Sequence, residues 1–169
     1  MKTTFKKIAI LVSICTLTAL GRAIAAGQAT TTTYDDTEFK QGELSLSPFG
    51  TYVDKAGGKW GAGAALTYYV LQNVGIGAST YWTELKGTFF DNVEAEGYFR
   101  LPLFKSIAPY AVGGVGYQFD RDYWFETIGV GVDFRAFKRF DAFSDVQWRI
   151  ANNSTQNGAF LRVGVRYTF

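Results

Sequence analysis

The sequence predicts an all-β protein, an eight-stranded antiparallel up-and-down barrel. Three observations carry that expectation. Apolar and polar residues alternate with period two in eight successive segments, each segment runs to about ten residues, and turn-like clusters separate them.

Ahead of the first alternating segment, Lys2, Lys6 and Lys7 precede the apolar run 8–20, and Ala23-Ile24-Ala25 supplies a small-x-small cleavage pattern. Residues 1–25 therefore read as a secretory signal peptide. The run is interrupted by Ser13, Thr16 and Thr18 and falls short of the ~20 residues that a spanning helix needs. Its removal takes the single cysteine, Cys15, and leaves a chain without disulfide or thiol chemistry. It also takes four of the 17 basic residues and no acid, so 13 cations face 15 anions and the net charge moves from +2 to −2. No basic run remains to track a phosphate backbone, which argues against nucleic acid as a partner. Residues 26–41 are polar and Thr-rich, with Thr30 to Thr33 followed by Tyr34-Asp35-Asp36. They lack either apolar period and read as a flexible strap. The barrel is assigned to residues 42–169.

The first strand is placed at 43–53, where Pro48 and the inward-phased Phe49 suggest a bulge. The second and third, 60–70 and 74–83, carry Gly61, Gly63, Gly75 and Gly77 on their polar face. The fourth, 92–103, presents Glu94, Glu96, Tyr98 and Arg100 on one side, and the fifth, 109–120, presents Gly114 and Gly116. In the sixth, 126–136, Ile128, Val130, Val132 and Phe134 oppose Thr127, Gly129, Gly131, Asp133 and Arg135. The seventh, 142–151, sets Val146, Trp148 and Ile150 against Asp145, Gln147 and Arg149. The eighth, 159–169, sets Leu161, Val163, Val165, Tyr167 and Phe169 against Phe160, Arg162, Gly164, Arg166 and Thr168. Tight links follow strands two, four and six (71–73, 104–108, 137–141), and Gly-, Asn- or aromatic-rich links follow the others (54–59, 84–91, 121–125, 152–158). An even strand count puts both termini on the tight-turn side.

Alternation alone does not say which face points inward; the choice of polar residue does. Every lysine after the leader (Lys40, Lys55, Lys59, Lys86, Lys105, Lys138) falls in a link or the strap, whereas the strand cations are arginines. A planar guanidinium forms multi-centre pairs with carboxylates, while a hydrated ammonium prefers bulk water. The polar face therefore reads as a lumen in which Glu43, Glu94, Glu96, Asp133 and Asp145 balance Arg100, Arg135, Arg149, Arg162 and Arg166, five against five. An eight-stranded barrel is only wide enough for side chains to fill. The polar-face glycines, with Gly129, Gly131 and Gly164 among them, make room for large neighbours. The apolar face then points outward, and the strand lengths match the ~9–11 residues of a tilted membrane crossing, so the barrel is read as transmembrane. Trp60, Trp82, Tyr123, Trp124 and Trp148, with Phe89 and Phe90, are assigned to an aromatic girdle, and Tyr68, Phe134, Tyr167 and Phe169 to its counterpart at the other end.

The terminal pattern Leu161-x-Val163-x-Val165-x-Tyr167-x-Phe169 resembles the last-strand signal of bacterial outer-membrane β-barrels. The region from residue 42 onward resembles the small eight-stranded barrels related to the transmembrane domain of outer-membrane protein A and to OmpX-like proteins. The resemblance implies a monomer in the bacterial outer membrane, exported by its leader. It also implies that the barrel-assembly machinery recognises the last strand, and that the barrel is solvated by outer-membrane lipid and lipopolysaccharide. Outer-membrane A proteins often continue into a peptidoglycan-binding domain, which this sequence does not display after the barrel pattern.

Two functional readings follow. One is a structural or envelope-integrity barrel that anchors surface loops, among which 123–125 could recognise a partner. The other is a narrow porin-like channel. An enzyme is disfavoured because the related barrel hydrolases rely on histidine as general base and the chain has none; a site built on Ser79, Ser144 or Glu94 is the remaining route. No catalytic residue is assigned. No cofactor or metal is expected, since Cys and His are missing after the leader and the acidic pairs lack a calcium loop's further ligands.

Overall fold

The computed structural model describes residues 39–53, 58–83, 90–152 and 157–169, all within the unit Asp36–Phe169. The leader assignment, the strap up to residue 38 and Phe89 of the girdle lie outside the described residues. Eight strands follow in order: β1 Leu44–Val53, β2 Lys59–Tyr69, β3 Val74–Trp82, β4 Asn92–Arg100, β5 Ile107–Gln118, β6 Tyr123–Phe137, β7 Phe140–Ala151 and β8 Gly158–Thr168. Each pairs antiparallel with its neighbours, and β1 pairs β8, so the sheet closes into the expected up-and-down barrel. Closure leaves no unpaired edge. The links after β2, β4 and β6 share one end of the barrel, here the turn end, with residues 39–43 and Phe169.

Several boundaries differ from those read in the sequence, each for a local reason. The fourth strand stops at Arg100 because Pro102 has no N–H to donate to a ladder. The sixth begins at Tyr123, which pairs with Gln118 across the turn 119–122. Asp122 sits there at φ 52°, the left-handed conformation that Asp tolerates and such a turn requires. The segment 121–125 is therefore divided between a short exposed turn and the start of β6. The link after β6 contracts to Lys138-Arg139, so Asp141 belongs to β7, and Lys59 opens β2. The register of β1 is unbroken against both neighbours. Ser47 and Pro48 drop out of the β1–β8 ladder, but the pairs on either side keep one register, so the expected bulge is not there. The irregularity falls in β6 instead, between Arg135 and Phe137.

The two faces of the wall separate cleanly. Outward residues are large and apolar, with Ile128, Val130, Val146 and Val163 all more than half exposed. Inward residues are buried and mostly polar or aromatic. A contiguous apolar surface of this extent is foreign to soluble monomers. Large interior side chains sit opposite glycines across the strands. Phe125 faces Gly116, Tyr110 faces Gly131, and Phe49 and Phe143 both face Gly164. A Cβ on Gly164 would lie 2.5 Å from the Pro48 carbonyl, 2.6 Å from the Phe143 ring and 2.7 Å from Phe49 Cβ. Because two of those contacts belong to β1, the residue sets how closely the seam strands approach. Gly164→Val is expected to destabilise the closed barrel by at least about 1–3 kcal/mol through overpacking. Urea titration of the refolded protein checks this, and an unchanged midpoint would show that the seam can relax.

Candidate functional site: the barrel interior

Alternation within each strand delivers an inward side chain at every second residue, and the register stacks them in layers. At the turn end, Glu43 in the bend before β1 binds two arginines. Arg100 Nη2 donates to its Oε2 at 3.1 Å and Arg135 Nη1 to its Oε1 at 2.7 Å. Arg135 also forks onto Asp141, with Nε to Oδ1 at 2.8 Å and Nη2 to Oδ2 at 3.1 Å. The Phe39 ring is fully buried between these guanidiniums, 4.7 Å from Arg100 Cζ and 4.5 Å from Arg135 Cζ. Gln72 Nε2 donates to the Phe39 carbonyl at 3.1 Å, and Gly42 N donates to Tyr69 O at 2.8 Å. Residues 39–41, read in the sequence as part of a flexible strap, are thus bound across this mouth.

One layer further in, Arg166 donates to Asp133 Oδ2 at 2.7 Å, to Ser47 Oγ at 3.1 Å and to the Tyr69 hydroxyl at 3.4 Å. At mid-height Arg162 bridges two carboxylates. Its Nη1 lies 2.6 Å from Glu96 Oε1, and its Nε and Nη2 lie 2.9 and 3.0 Å from the two Asp145 oxygens. Tyr98 donates to Glu96 at 2.8 Å and Tyr110 to Asp145 at 2.7 Å. These pairs are buried, so each lone pair satisfied by a tyrosine offsets part of the desolvation cost.

Toward the other end the interior becomes aromatic. Phe49, Tyr81, Phe125, Phe143 and Phe160 pack together across the lumen, with Tyr81 stacked on Phe160 at 5.8 Å. Arg149 and Glu94 meet there through an intermediary. Arg149 Nη2 donates to the Tyr81 hydroxyl at 2.6 Å, and that hydroxyl donates to Glu94 Oε2 at 3.1 Å. Thr127 also donates to Glu94. The Arg149 guanidinium lies 4.2 Å over the Phe125 ring, a cation–π contact that takes the place of a direct carboxylate. At this rim Asn92 and Gln118 donate to Asp91, whose carboxyl burial pushes above its ordinary value.

All ten arginines and carboxylates picked from the sequence face inward, with Glu43 at the mouth. The five-against-five count does not hold. Asp141 is buried and bound to Arg135, giving six interior carboxylates to five guanidiniums among the described residues, with Asp91 at the rim besides. Asp141 was legible by continuing the period of Asp145 two steps back; Tyr69, Tyr81 and Tyr110 were legible by the same phase. Phe39 carries no such signal. Of the girdle residues, Trp60, Trp124 and Trp148 are more than half exposed on the outer wall and Trp82 is half-buried there, with Tyr52 against Trp60 at 4.9 Å. Tyr123 is a correction. It has the inward phase, packs on Phe125 and accepts from Arg149 at 3.5 Å, so it closes the lumen and leaves the girdle to Trp124. The segment 123–125 is consequently split between the two faces. The last strand turns Leu161, Val163, Val165, Tyr167 and Phe169 to the outer wall, with Tyr167 edge-on to Phe140 and Phe169 at 5.1 Å each. Ser79 and Glu94 are cross-strand partners, but Glu94 bonds to Tyr81 and Thr127, and Ser144 lies on the outer wall in the opposite phase.

No protein-family model and no curated protein matches the chain. Solved structures do. The N-terminal β-barrel domain of Pseudomonas aeruginosa OprF superposes with a TM-score of 0.64 at 13% identity, covering 77% of this chain and 99% of that one. A de novo designed transmembrane β-barrel gives 0.62 at 16% identity over 77% and 98% of the two chains. The outer membrane protein OprG from Pseudomonas aeruginosa gives 0.54 at 14% identity over 79% and 99%. The fold is therefore that of small transmembrane β-barrels.

Proposed function

We propose that this protein is an integral outer-membrane barrel whose lumen is filled, and whose role is structural: it anchors its outer links and strengthens the envelope without catalysing a reaction. The observation that carries this reading is the pairing of an apolar outer wall with an interior closed by arginine–carboxylate pairs and five packed rings. Lipid and lipopolysaccharide would then be its solvent, residues 1–25 its export signal, the outward face of β8 the feature read by the assembly machinery, and the monomer its working state.

A second reading, a narrow channel, draws on one observation. Gln147 is fully buried with neither amide atom hydrogen-bonded among the described residues, and Ser79 Oγ and Arg149 Nε are in the same state. Such groups suit a chain of water molecules. Planar-bilayer recording separates the two. The refolded barrel, its folding verified by heat-modifiable gel mobility, is expected to be electrically silent. Discrete conductance steps that change in Arg149→Ala would replace the filled-lumen reading with the channel.

A further inference from the structure

The outer wall is not uniformly convex. Across β4 to β7, in its half nearer the turn end, Phe99, Leu101, Val130 and Val132 frame a depression of about 540 Å³ floored by Ala111 and Ser144. That volume lies within the ~300–1,000 Å³ of small-molecule sites. Just beyond it, the rim carries Lys105 in the β4–β5 link and Lys138-Arg139 in the β6–β7 turn, all exposed, with Lys40 on the strap. Ser106 O accepts from Arg135 N at 2.8 Å, which joins the β4–β5 link to β6 three residues before the Lys138-Arg139 turn. Arg139 Nη1 lies 3.4 Å from the Tyr167 hydroxyl of β8, which holds this guanidinium at the outer wall on the β8 side of the turn. Phe137 and Phe104, 71% and 64% exposed, mark the same level as an interfacial belt. The described acids at this end, Glu43 and Asp141, are turned inward and bound to arginines.

An apolar depression below a cluster of cations, with no exposed acidic side chain among the described residues of this end to oppose them, is complementary to an anionic amphiphile. We infer that this face holds one anionic phospholipid of the membrane leaflet at the turn end. An acyl chain lies in the depression, and the phosphodiester sits between Lys105 and the Lys138-Arg139 turn. The inference rests on the membrane reading proposed above and goes beyond it, from lipid as solvent to lipid as ligand. Ala111 and Ser144 matter because larger residues there would fill the depression. The cations matter because charge near a bilayer surface attracts anionic headgroups.

The full chain, refolded into neutral phosphatidylcholine vesicles doped with phosphatidylglycerol, is floated, extracted in mild detergent and examined by native mass spectrometry. A single phosphatidylglycerol is expected to be retained with about a tenfold preference over phosphatidylcholine. In the variant K105S/K138S/R139S the preference is expected to fall to about twofold or less, with heat-modifiable mobility unchanged. Ala111→Phe, which touches none of the cations, is expected to reduce retention of both lipids. Equal retention of the two lipids by a floated, folded barrel overturns the site alone, as does a preference that survives the triple substitution. A chain that stays with the aqueous fraction overturns the membrane reading and the site with it.

Discussion

Arg162→Met is expected to cost the folded barrel about 3–5 kcal/mol, the range for removing one partner of a buried ion pair. The reason is arithmetic at mid-lumen. Arg162 serves Glu96 at 2.6 Å and Asp145 at 2.9 Å, and all three side chains are essentially inaccessible. Without the guanidinium, two carboxylates are left in a buried layer with only Tyr98 and Tyr110 donating to them. Lysine is not expected to rescue. A point ammonium on a flexible stem lacks the planar fork that reaches both Asp145 oxygens while a third nitrogen holds Glu96. The triple variant Arg162→Met, Glu96→Gln, Asp145→Asn isolates the cause, because it removes the stranded charges along with the cation. It is expected to recover most of the loss, since replacing a whole buried ionic group can be close to neutral. Urea midpoints of the refolded variants measure both. A single substitution within about 0.5 kcal/mol of the parent would mean that water enters this layer and screens the carboxylates. That outcome would also favour the channel.

What the sequence could say about this interior follows from the physics of alternation. Period two identifies which residues share a face, and a preference for arginine over lysine says that the polar face is enclosed, so Arg100, Arg162 and Arg166 were accessible to reading. The period fails where a strand end is misjudged. Lys138 and Arg139 look like part of a longer turn, which puts Asp141 in a link and makes the lumen appear neutral, whereas Asp141 lies in β7. Tyr123 reads as a girdle residue because aromatics at strand ends serve both interfaces and lumen mouths, and only its phase with Phe125 separates the two. Partner identity is harder still. That Arg149 reaches Glu94 through Tyr81 depends on how residues on β7, β3 and β4 meet across the lumen, which the stagger of strands around the barrel decides. Pro48 suggests a bulge because it has no N–H to donate, yet β1 accommodates it by leaving Ser47 and Pro48 out of the β8 ladder at constant register. Phe39 was the least legible of all. It follows a polar, aperiodic stretch, and its place between two guanidiniums is fixed by long-range contacts alone.

Phe39 also supplies the experiment that most sharply tests how the lumen is closed. Its ring fills the turn-end mouth between Arg100 and Arg135, and both guanidiniums are held by Glu43. Phe39→Ala removes a fully buried aromatic and leaves the two cations facing a cavity, which is expected to cost about 3–5 kcal/mol by the general scale for such truncations. The loss includes two cation–π contacts. Phe39→Leu, which refills much of the volume but offers no π face, is expected to recover part of it; the residue left over measures the aromatic contribution. Conductance decides what the ring is for. If the strap were the barrier across an otherwise open pore, Phe39→Ala would produce discrete current steps in a planar bilayer. The layers behind it argue for the opposite result. Arg166 with Asp133, Arg162 with Glu96 and Asp145, and the rings of Phe49, Tyr81, Phe125, Phe143 and Phe160 each span the lumen independently of the strap. Phe39→Ala is therefore expected to lower the urea midpoint while the folded barrel stays silent, so that Phe39 acts as a lock on the turn end and the barrier to ions resides in the layers above it.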